Sequence, residues 1–362
     1  MYTLINVSRE TLKGGGEPLQ LPNFFIMLYL ENGYLNYNEI YNLPVPFIFI
    51  VGARGIGKTY GAVDYLYKNG IPFLFLRRTK TQAYTQIDPE VSDIEKPLKQ
   101  YDVVFNANKV TDTMQSLSID NNEYFALVTS LSTGSNLRGF NGERVEAIFF
   151  DEFIAQPEEK PIREEASTFF NLVETISRNR ELEGRNPVKV ICAANSFNLA
   201  NPIFIKLGLV SIAEKMRVKE SEVYIDKERG YCIIQPLHSP ISAKKEESAL
   251  YRLVGDDSDF AGMALRNKYL DDISDTVCSK NLKAYRILVT VGEISIYKHK
   301  SQEEYYVSQH KSGTPKQVYT TGSADKKRFN REQHFLWIAF MRRNVYFENY
   351  LCQVLFDNAF KL

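Results

Sequence analysis

Short, mostly apolar runs recur along the first two thirds of the chain, each followed by glycine or polar residues. They lie at 46–51, 72–76, 124–131, 145–150 and 188–194. Continuous apolar runs of this length are typical of strands that are buried on both faces of a parallel sheet. Helical patterns at 59–68 and 168–180 separate some of these runs. The alternation predicts an α/β domain with a mostly parallel sheet.

The segments around this alternation have other patterns. Residues 24–31 predict one short helix within the first 45 residues, and 223–234 predict a hairpin at the sheet edge. The stretch at 240–275 is charged and helical in pattern, as a lid or linker would be.

The pattern changes again after residue 284. Short alternating runs predict three antiparallel strands at 285–291, 293–299 and 305–309. A loop is expected at 312–325, and 330–356 predict a long helical region rich in aromatic residues. This part of the chain is therefore expected to form a smaller α+β domain.

The length of the chain bears on the number of domains, and its charge bears on possible partners. The 362 residues fit two compact domains. We expect an α/β domain at 1–235, a linker or lid at 236–280 and the α+β domain at 281–362. Lysine plus arginine and aspartate plus glutamate each total 44, so the net charge argues neither for nor against a nucleic-acid partner.

Cysteines and apolar runs exclude several classes of protein. The four cysteines are far apart and form no C-x-x-C pair, which argues against a disulfide framework or a zinc site. Free thiols in a reducing cytosol are expected. No apolar run is long enough to span a bilayer, and the N-terminus lacks the pattern of a secretory signal. We expect a soluble, intracellular protein without a membrane partner.

A glycine-rich segment joins the first of these apolar strands to the helix that follows it, and it fits the pattern G-x-x-x-x-G-K-[ST]. The segment and the residue after it are Gly52, Ala53, Arg54, Gly55, Ile56, Gly57, Lys58, Thr59 and Tyr60. Backbone N–H groups of such a loop surround phosphates, and the helix dipole adds positive potential. Lys58 can reach the β and γ phosphates, and the Thr59 hydroxyl can ligate magnesium. The motif predicts binding of a nucleoside triphosphate, ATP, with Mg²⁺.

Polar residues follow two other predicted strands. Asp151 ends the run at 145–150 and can hold magnesium, and Glu152 is placed to polarise a water for attack on the γ phosphate. A solvated acidic turn is the alternative. Asn195 ends another strand and suits either a γ-phosphate sensor or a turn former. Because ligands bind beyond the carboxyl ends of parallel strands, these loops are expected to converge.

Arginines supply the remaining candidates for the site. Arg54 lies within the phosphate loop and can add positive charge from the same subunit. Arg178 and Arg180 end the helix after the acidic pair. One of them can project as a finger into the site of a neighbouring subunit and stabilise transition-state charge. Charge matching at a helix C-terminus explains both arginines equally well.

Basic residues also occur away from the motif. Arg77, Arg78 and Lys80 follow the second apolar strand, where they either contact a phosphate backbone or a neighbouring subunit, or are solvated. The polar segment at 130–140 is either a DNA-contact or coupling loop or a surface turn. Basic and aromatic residues interleave at 326–343, which suits either nucleic-acid binding or helix packing.

A family resemblance rests on four of these features. They are the phosphate loop with Arg54, the strand end Phe-Phe-Asp151-Glu152-Phe, the helix end Ser-Arg178-Asn-Arg180 and the strand end Ala-Ala-Asn195. Together they resemble DNA-packaging ATPases. More narrowly, the chain is similar in motifs and size to the encapsidation ATPases of small tailed bacteriophages with protein-primed genomes, which are relatives of large terminases. The motif match covers residues 45–200 and is weak beyond 240.

This resemblance implies an ASCE-type P-loop ATPase that assembles into a homomeric ring, expected to be a pentamer, at the portal of an empty procapsid. The ring would pump double-stranded viral DNA inward. The implied roles are nucleotide binding by Lys58 and Thr59, magnesium binding by Asp151, base catalysis by Glu152, coupling by Asn195, and a trans finger at Arg178 or Arg180. The protein would act in the host cytoplasm, transiently at the procapsid, and be absent from the mature virion.

Large terminases carry an RNase H-like nuclease domain, and the pattern after residue 284 fits a shortened version. That nuclease uses paired metals held by carboxylates, the first of them on its first strand. The first strand here, 285–291, has no carboxylate, and Glu293 comes only after Gly292. The resemblance therefore implies a vestigial domain without cleavage activity, whose basic residues bind DNA, a packaging RNA or the portal.

Two other functions are compatible with the phosphate loop. An ATP-dependent helicase would need an element that separates strands, and the sequence shows no clear one. A nucleotide-switched assembly factor would bind ATP and change partners but barely hydrolyse it. Glu152 argues against the second alternative, because a base beside the γ phosphate favours hydrolysis.

Overall fold

The computed structural model describes the chain at 5–6, 25–119, 123–137, 139–156, 159–196, 199–254 and 276–360. Its backbone separates into two compact units. The first comprises Met1–Ile203 and Met216–Leu270, and the second comprises Phe204–Lys215 and Asp271–Leu362. The domain limits expected at 235 and 281 stay a prediction.

The elements up to residue 254 alternate between strands and helices. The strands are β1 (Ile5–Asn6), β2 (Phe25–Ile26), β3 (Phe47–Val51), β4 (Phe73–Arg77), β5 (Asn106–Thr111), β6 (Met114–Ser118), β7 (Ala126–Ser130), β8 (Ala147–Asp151), β9 (Lys189–Ala194), β10 (Val223–Asp226) and β11 (Tyr231–Ile234). The helices are α1 (Tyr37–Tyr41), α2 (Lys58–Lys68), α3 (Lys80–Tyr84), α4 (Glu95–Leu98), α5 (Glu165–Ser177), α6 (Pro202–Leu207), α7 (Val210–Val218), α8 (Pro240–Glu246) and α9 (Ala249–Val254).

One large sheet organises the first unit. Its strand order is β10-β11-β3-β9-β8-β4-β7-β6-β5. The six strands from β11 to β7 are parallel to their neighbours, which confirms the mostly parallel α/β sheet. β9 lies between β3, which precedes the phosphate loop, and β8, which ends at Asp151. The antiparallel pair β10–β11 confirms the hairpin predicted at the sheet edge.

The central strands are made of large apolar residues that are buried on both faces. β4 and β8 are buried at every position. Such strands need helices on both sides of the sheet, and α2 contributes by burying Ala62, Val63 and Leu66. This packing fixes the carboxyl ends of β3, β4, β8 and β9 at one edge of the sheet.

Some elements of this unit were not predicted from the sequence, and others have limits that differ from those predicted. The hairpin β5–β6 extends the sheet, but every residue of β5 is exposed, so no apolar alternation marks it. The helix expected at 168–180 is α5, which begins at Glu165 and ends at Ser177. The helical pattern expected at 240–275 corresponds to α8 and α9 as far as Val254, and 255–275 lie outside the described residues.

The prediction of a helix at 24–31 is wrong for the part that the structure describes, which begins at residue 25. Phe25–Ile26 forms β2, and Tyr29 bridges back to Leu35 across a turn. A helix begins only at Tyr37, because the Asn36 side chain accepts a hydrogen bond from the Asn38 backbone and caps α1.

The second unit contains a five-stranded sheet in the order β15-β12-β13-β14-β16. Its strands are β12 (Tyr285–Val291), β13 (Ile294–His299), β14 (Tyr305–Ser308), β15 (Gln317–Tyr319) and β16 (Val345–Phe347), and its C-terminal helices are α10 (Ser323–Glu332), α11 (His334–Met341) and α12 (Tyr350–Phe360). β13 pairs antiparallel with both β12 and β14, as predicted. β15 pairs with β12 and β16 pairs with β14, both in parallel. Helix residues such as Phe329 and Phe356 complete its core.

The single long helical region predicted at 330–356 is wrong. Helix α11 ends at Met341, and Arg343 then has a φ of 59°, which is not helical. The chain forms β16 before α12 begins. The predicted loop at 312–325 likewise contains β15. Strands of three residues are too short to carry a periodic pattern, so they form only because partner strands are available. Among the described helices, none is long and apolar enough to cross a membrane.

Candidate nucleotide and magnesium site

The phosphate loop connects β3 to α2 and has the backbone conformation that its motif requires. Gly55 and Gly57 have φ angles of 69° and 88°, in the left-handed region that favours glycine. The backbone N–H of Gly52 donates to the Ala194 carbonyl and ties the loop to the end of β9. Because α2 begins at Lys58, the positive end of its dipole lies at the loop.

Lys58 is buried against the loop that it follows. Its Nζ donates to the carbonyls of Gly52 (2.9 Å) and Ala53 (2.6 Å) and to Asn195 Oδ1 (3.0 Å). Burial lowers the pKa of Lys58 to about 7, although nearby carboxylates oppose the shift. A phosphate group beside Nζ would favour the charged ammonium, so the loop and its lysine fit an anionic ligand. Asn195 thus contacts the lysine of the loop, and its role as a γ-phosphate sensor stays a prediction.

Thr59 and Asp151 form a pair at the start of α2. The Thr59 hydroxyl donates to Asp151 Oδ2 at 2.9 Å, and Asp151 is buried at the end of β8. A hydroxyl and a carboxylate are hard oxygen ligands, which Mg²⁺ combines with phosphates and water. Within the described residues, no group of three or more His, Cys, Asp or Glu side chains is placed to hold a metal. The Thr59 hydroxyl and the Asp151 carboxylate fit a magnesium ion that arrives with a triphosphate.

Glu152 occupies a strained backbone position directly after β8. Its φ is 53°, which is unusual for a non-glycine residue, and its N–H donates to Asp151 Oδ1 at 3.1 Å. Burial raises the pKa of Glu152, while the Arg77 guanidinium opposes that rise. A carboxylate with a raised pKa is better matched to proton transfer near neutral pH.

The predictions for Arg77 as a DNA-facing or solvated residue are wrong. Only 5% of Arg77 is exposed. Its Nη2 lies 3.0 Å from Asp151 Oδ2, and its Nη1 lies 2.6 Å from Glu152 Oε2. A third carboxylate, that of Asp93, lies 3.1 Å from Nη2. Arg77 is thus a member of the site that sequence reasoning missed. The sequence places Arg77 at the end of an apolar strand, but the pairing of β4 with β8, which brings Arg77 to the site, is visible only in the structure.

Arg78 is also buried and does not face solvent or DNA. It forms two hydrogen bonds to Glu165, from Nε at 2.8 Å and from Nη2 at 3.0 Å, and its Nη1 pairs with Glu159. Glu165 is the first residue of α5, so Arg78 joins the end of β4 to the segment that follows Glu152. Lys80 differs, because it is exposed at the start of α3.

Arg178 and Arg180 do not reach the phosphate loop of their own chain. Arg178 is exposed, and its Nη2 donates to the Phe140 carbonyl at 2.6 Å. Arg180 is buried, and its Nη1 donates to the Val145 carbonyl at 2.7 Å. These carbonyls precede β8 in the chain, whereas Asp151 ends it, so both arginines lie away from the site edge. Neither position tests a role in a neighbouring subunit.

The polar segment at 130–140 forms a 3₁₀ helix over Leu131–Leu137, and Arg138 lies outside the described residues. Tyr60, the last residue of the predicted nucleotide set, is 46% exposed beside the loop. Sequence reasoning missed Tyr37, whose buried hydroxyl donates to the Lys58 carbonyl at 2.6 Å and supports the first turn of α2. No motif could have indicated that contact.

Helix packing explains most aromatic residues of the C-terminal basic segment. Phe329 is buried, and Trp337 packs against Phe340 and Phe360. Phe335 is an exception, with 42% of its surface exposed. The neighbouring arginines are exposed on the same unit. Nucleic-acid binding by this segment stays a prediction.

The fold and the site together define a class. An additional strand, β9, separates the phosphate-loop strand from the strand that carries Asp151, and Glu152 follows that aspartate. Lys58, Thr59, Asp151, Glu152 and Asn195 lie at one sheet edge, as predicted. This arrangement is that of the additional-strand, catalytic-glutamate class of P-loop nucleoside triphosphatases.

The chain belongs to the podovirus DNA encapsidation protein (Gp16) family, whose pattern matches residues 27–360. The protein is 25% identical to the DNA packaging protein of Bacillus phage phi29 over 354 residues, which cover 93% of this chain and 97% of the relative. Its identity to the DNA packaging protein of Bacillus phage B103 is also 25%, over 345 residues, 90% of this chain and 98% of the relative. The resemblance expected from the motifs is confirmed.

Two solved structures have the same fold as this chain. A chain of the bacteriophage Phi-29 viral genome packaging motor assembly superposes with a TM-score of 0.64 at 22% identity, covering 90% of this chain and 99% of that chain. The Phi-28 gp11 DNA packaging motor gives a TM-score of 0.58 at 20% identity, covering 92% and 99%. As a member of the Gp16 family, this chain is a DNA encapsidation protein.

Proposed function

We propose that the protein hydrolyses ATP with Mg²⁺ and uses the energy to drive double-stranded viral DNA into a preformed procapsid. The observation that carries the ATPase part is the convergence of Lys58, Thr59, Asp151 and Glu152 at one sheet edge. Lys58 and the loop N–H groups bind the phosphates, and Thr59 and Asp151 hold Mg²⁺. Glu152 accepts the proton of the attacking water. The packaging part rests on the family.

The site favours hydrolysis over a pure nucleotide switch. Glu152 follows the magnesium carboxylate directly, in a strained conformation that the Arg77 ion pair holds. A switch that only binds ATP has no use for a base in this position. Arg54 adds positive charge within the loop, and Asn195, which is bonded to Lys58, is proposed to couple the state of the γ phosphate to the end of β9.

The partners proposed are those of a packaging motor. They are double-stranded DNA, the portal of the procapsid and other copies of this chain in a ring, with five copies as our proposal and a packaging RNA as a further candidate. The motor would act in the host cytoplasm, transiently at the procapsid, and be absent from the mature virion. The second unit is proposed to be a vestigial nuclease domain, because β12 carries no carboxylate.

The test is a packaging reaction with purified protein, portal-bearing empty procapsids and ATP. Added duplex DNA should become resistant to nuclease, and duplex DNA should raise the ATPase rate more than single-stranded DNA does. Lys58→Ala protein, which lacks the phosphate-binding amine, should fail in both assays. Preferential stimulation by single strands, with unwinding and no protection, would favour a helicase and overturn the proposal.

Subunit mixing tests the trans finger, for which the structure favours Arg178 because Arg180 is buried. Arg178→Ala protein doped into wild-type rings should lower the ATPase rate more than in proportion to its share, because each mutant subunit also impairs a neighbour. Arg185→Ala protein serves as the matched control, because partly exposed Arg185 also donates to a backbone carbonyl, that of Glu143. It should change the rate of mixed rings only in proportion to its own activity. A proportional loss with Arg178→Ala would exclude the trans role for this residue.

A further inference from the structure

A second lysine reaches the phosphate loop from outside the motif. Lys245 belongs to α8, 191 residues beyond Arg54, yet its Nζ donates to the Arg54 carbonyl at 2.8 Å. Lys58 donates to the two preceding carbonyls, those of Gly52 and Ala53. Two lysine amines therefore contact three consecutive carbonyls of the loop.

Gly55 provides the space in which the Lys245 amine lies. A Cβ atom at position 55 would lie 1.9 Å from Lys245 Nζ and 2.8 Å from its Cε. Any side chain at this position would therefore displace the amine from the loop backbone. Gly55 thus has two functions: it allows the left-handed φ of the loop, and its missing side chain leaves room for the Lys245 amine.

The chain that leads into α8 is anchored to the first unit. Buried Glu222 accepts hydrogen bonds through Oε1 from the backbone N–H groups of Leu237 (2.7 Å) and His238 (3.0 Å) and from the Tyr29 hydroxyl (2.6 Å). These bonds fix the chain shortly before α8 begins. The fold therefore holds the start of α8, and with it Lys245, beside the phosphate loop.

Three cationic side chains lie at the loop, and the carboxylates of Asp151 and Glu152 lie near them. The three cations are Arg54 of the loop itself, and Lys58 and Lys245, which donate to its carbonyls. Burial and, after it, repulsion from Arg54 lower the pKa of Lys245. Neutral carbonyls carry no charge that offsets this repulsion, whereas phosphate oxygens are anionic and pair with the ammonium groups as opposite charges.

We propose that Lys245 is a second triphosphate-binding lysine, which contacts a γ-phosphate oxygen and makes the site distinguish ATP from ADP. Its amine lies at the loop carbonyl next to those that Lys58 contacts, and Lys58 is the residue that reaches the β and γ phosphates. On nucleotide binding, Lys245 Nζ exchanges the Arg54 carbonyl for a phosphate oxygen. The inference rests on the proposed ATP site and adds a specificity-determining residue to it.

The test compares Lys245→Met with Lys244→Met. Methionine keeps an unbranched apolar stem and removes the charge, and Lys244 is an exposed neighbour on the same helix. Dissociation constants for a non-hydrolysable ATP analogue and for ADP, each with Mg²⁺, should be measured by calorimetric titration. In Lys245→Met the affinity for the analogue should fall about tenfold and that for ADP less than about twofold, while Lys244→Met should match wild type.

Equal losses of affinity for both nucleotides, or no loss for either, would overturn the assignment. Lys245→Arg, which keeps the charge, should recover most of the preference for the ATP analogue. If Lys245→Met does not fold, acylation of lysines in the wild-type protein replaces it. The ATP analogue should protect Lys245 more strongly than ADP does, and equal protection would contradict the proposal. Failure of wild type to bind either nucleotide would instead refute the proposed function.

Discussion

Replacement of Glu152 by glutamine is expected to lower the rate of ATP hydrolysis by a factor of about 10²–10⁴. The amide keeps the size of the side chain but cannot accept a proton from the attacking water. Lys58, Thr59 and Asp151 stay in place, so binding of ATP and Mg²⁺ should be close to that of wild type. Single-turnover hydrolysis and an equilibrium titration with a nucleotide analogue measure the two effects separately.

The matched control is Glu174→Gln, because Glu174 is an exposed glutamate on α5. It should leave both hydrolysis and binding unchanged. If Glu152→Gln protein hydrolysed ATP within about tenfold of the wild-type rate, another group would have to be the base. If the substitution abolished nucleotide binding as well, Glu152 would serve the structure of the site more than its chemistry.

Replacement of Arg77 by methionine is expected to destabilise the protein by about 3–5 kcal/mol. The substitution keeps an apolar side chain in a buried position but leaves Asp151, Glu152 and Asp93 without the guanidinium that contacts all three. Most of the cost comes from Asp151, whose side chain is only 3% exposed and has no water to replace the lost partner, whereas Glu152 and Asp93 are about a third exposed. Denaturant unfolding at neutral pH gives the free energy of unfolding of both proteins.

The pH dependence of Arg77→Met follows from Glu152. Burial already raises the pKa of Glu152 and Arg77 opposes the rise, so removal of Arg77 raises that pKa further. The acid limb of the ATPase rate profile should therefore move to higher pH. The loss of stability should be largest at neutral pH and above and should shrink as the pH falls through the raised pKa of Glu152, because the neutral carboxyl group does not need the guanidinium.

Arg144→Met is the control for a simple loss of charge. Arg144 is paired with exposed Glu123 at the surface, and such pairs contribute about 0–1 kcal/mol. Equal losses of stability for the two arginine variants would show that the Arg77 cluster is no more than a surface ion pair. An unchanged acid limb in Arg77→Met would show that Arg77 does not control the ionisation of Glu152.

The sequence by itself determined the nucleotide site to a large extent. The glycine pattern at 52–59 is local, because consecutive residues supply the turn, the N–H groups and the start of the helix. Asp151, Glu152 and Asn195 were also predictable, since polar residues that end buried parallel strands must meet at one sheet edge. Apolar runs of five to eight residues identified the strands of this sheet for the same local reason.

Tertiary structure alone decided which distant side chains complete that site. Arg77 meets Asp151 and Glu152 because β4 pairs with β8, and strand neighbours are not encoded in the spacing of residues. The same holds for Lys245, which is 191 residues from its partner in the loop. The exposed strand β5 and the three-residue strands β15 and β16 were missed because pairing, and not their own pattern, stabilises them. The local motif fixed the phosphate site, and non-local packing selected the charges around it.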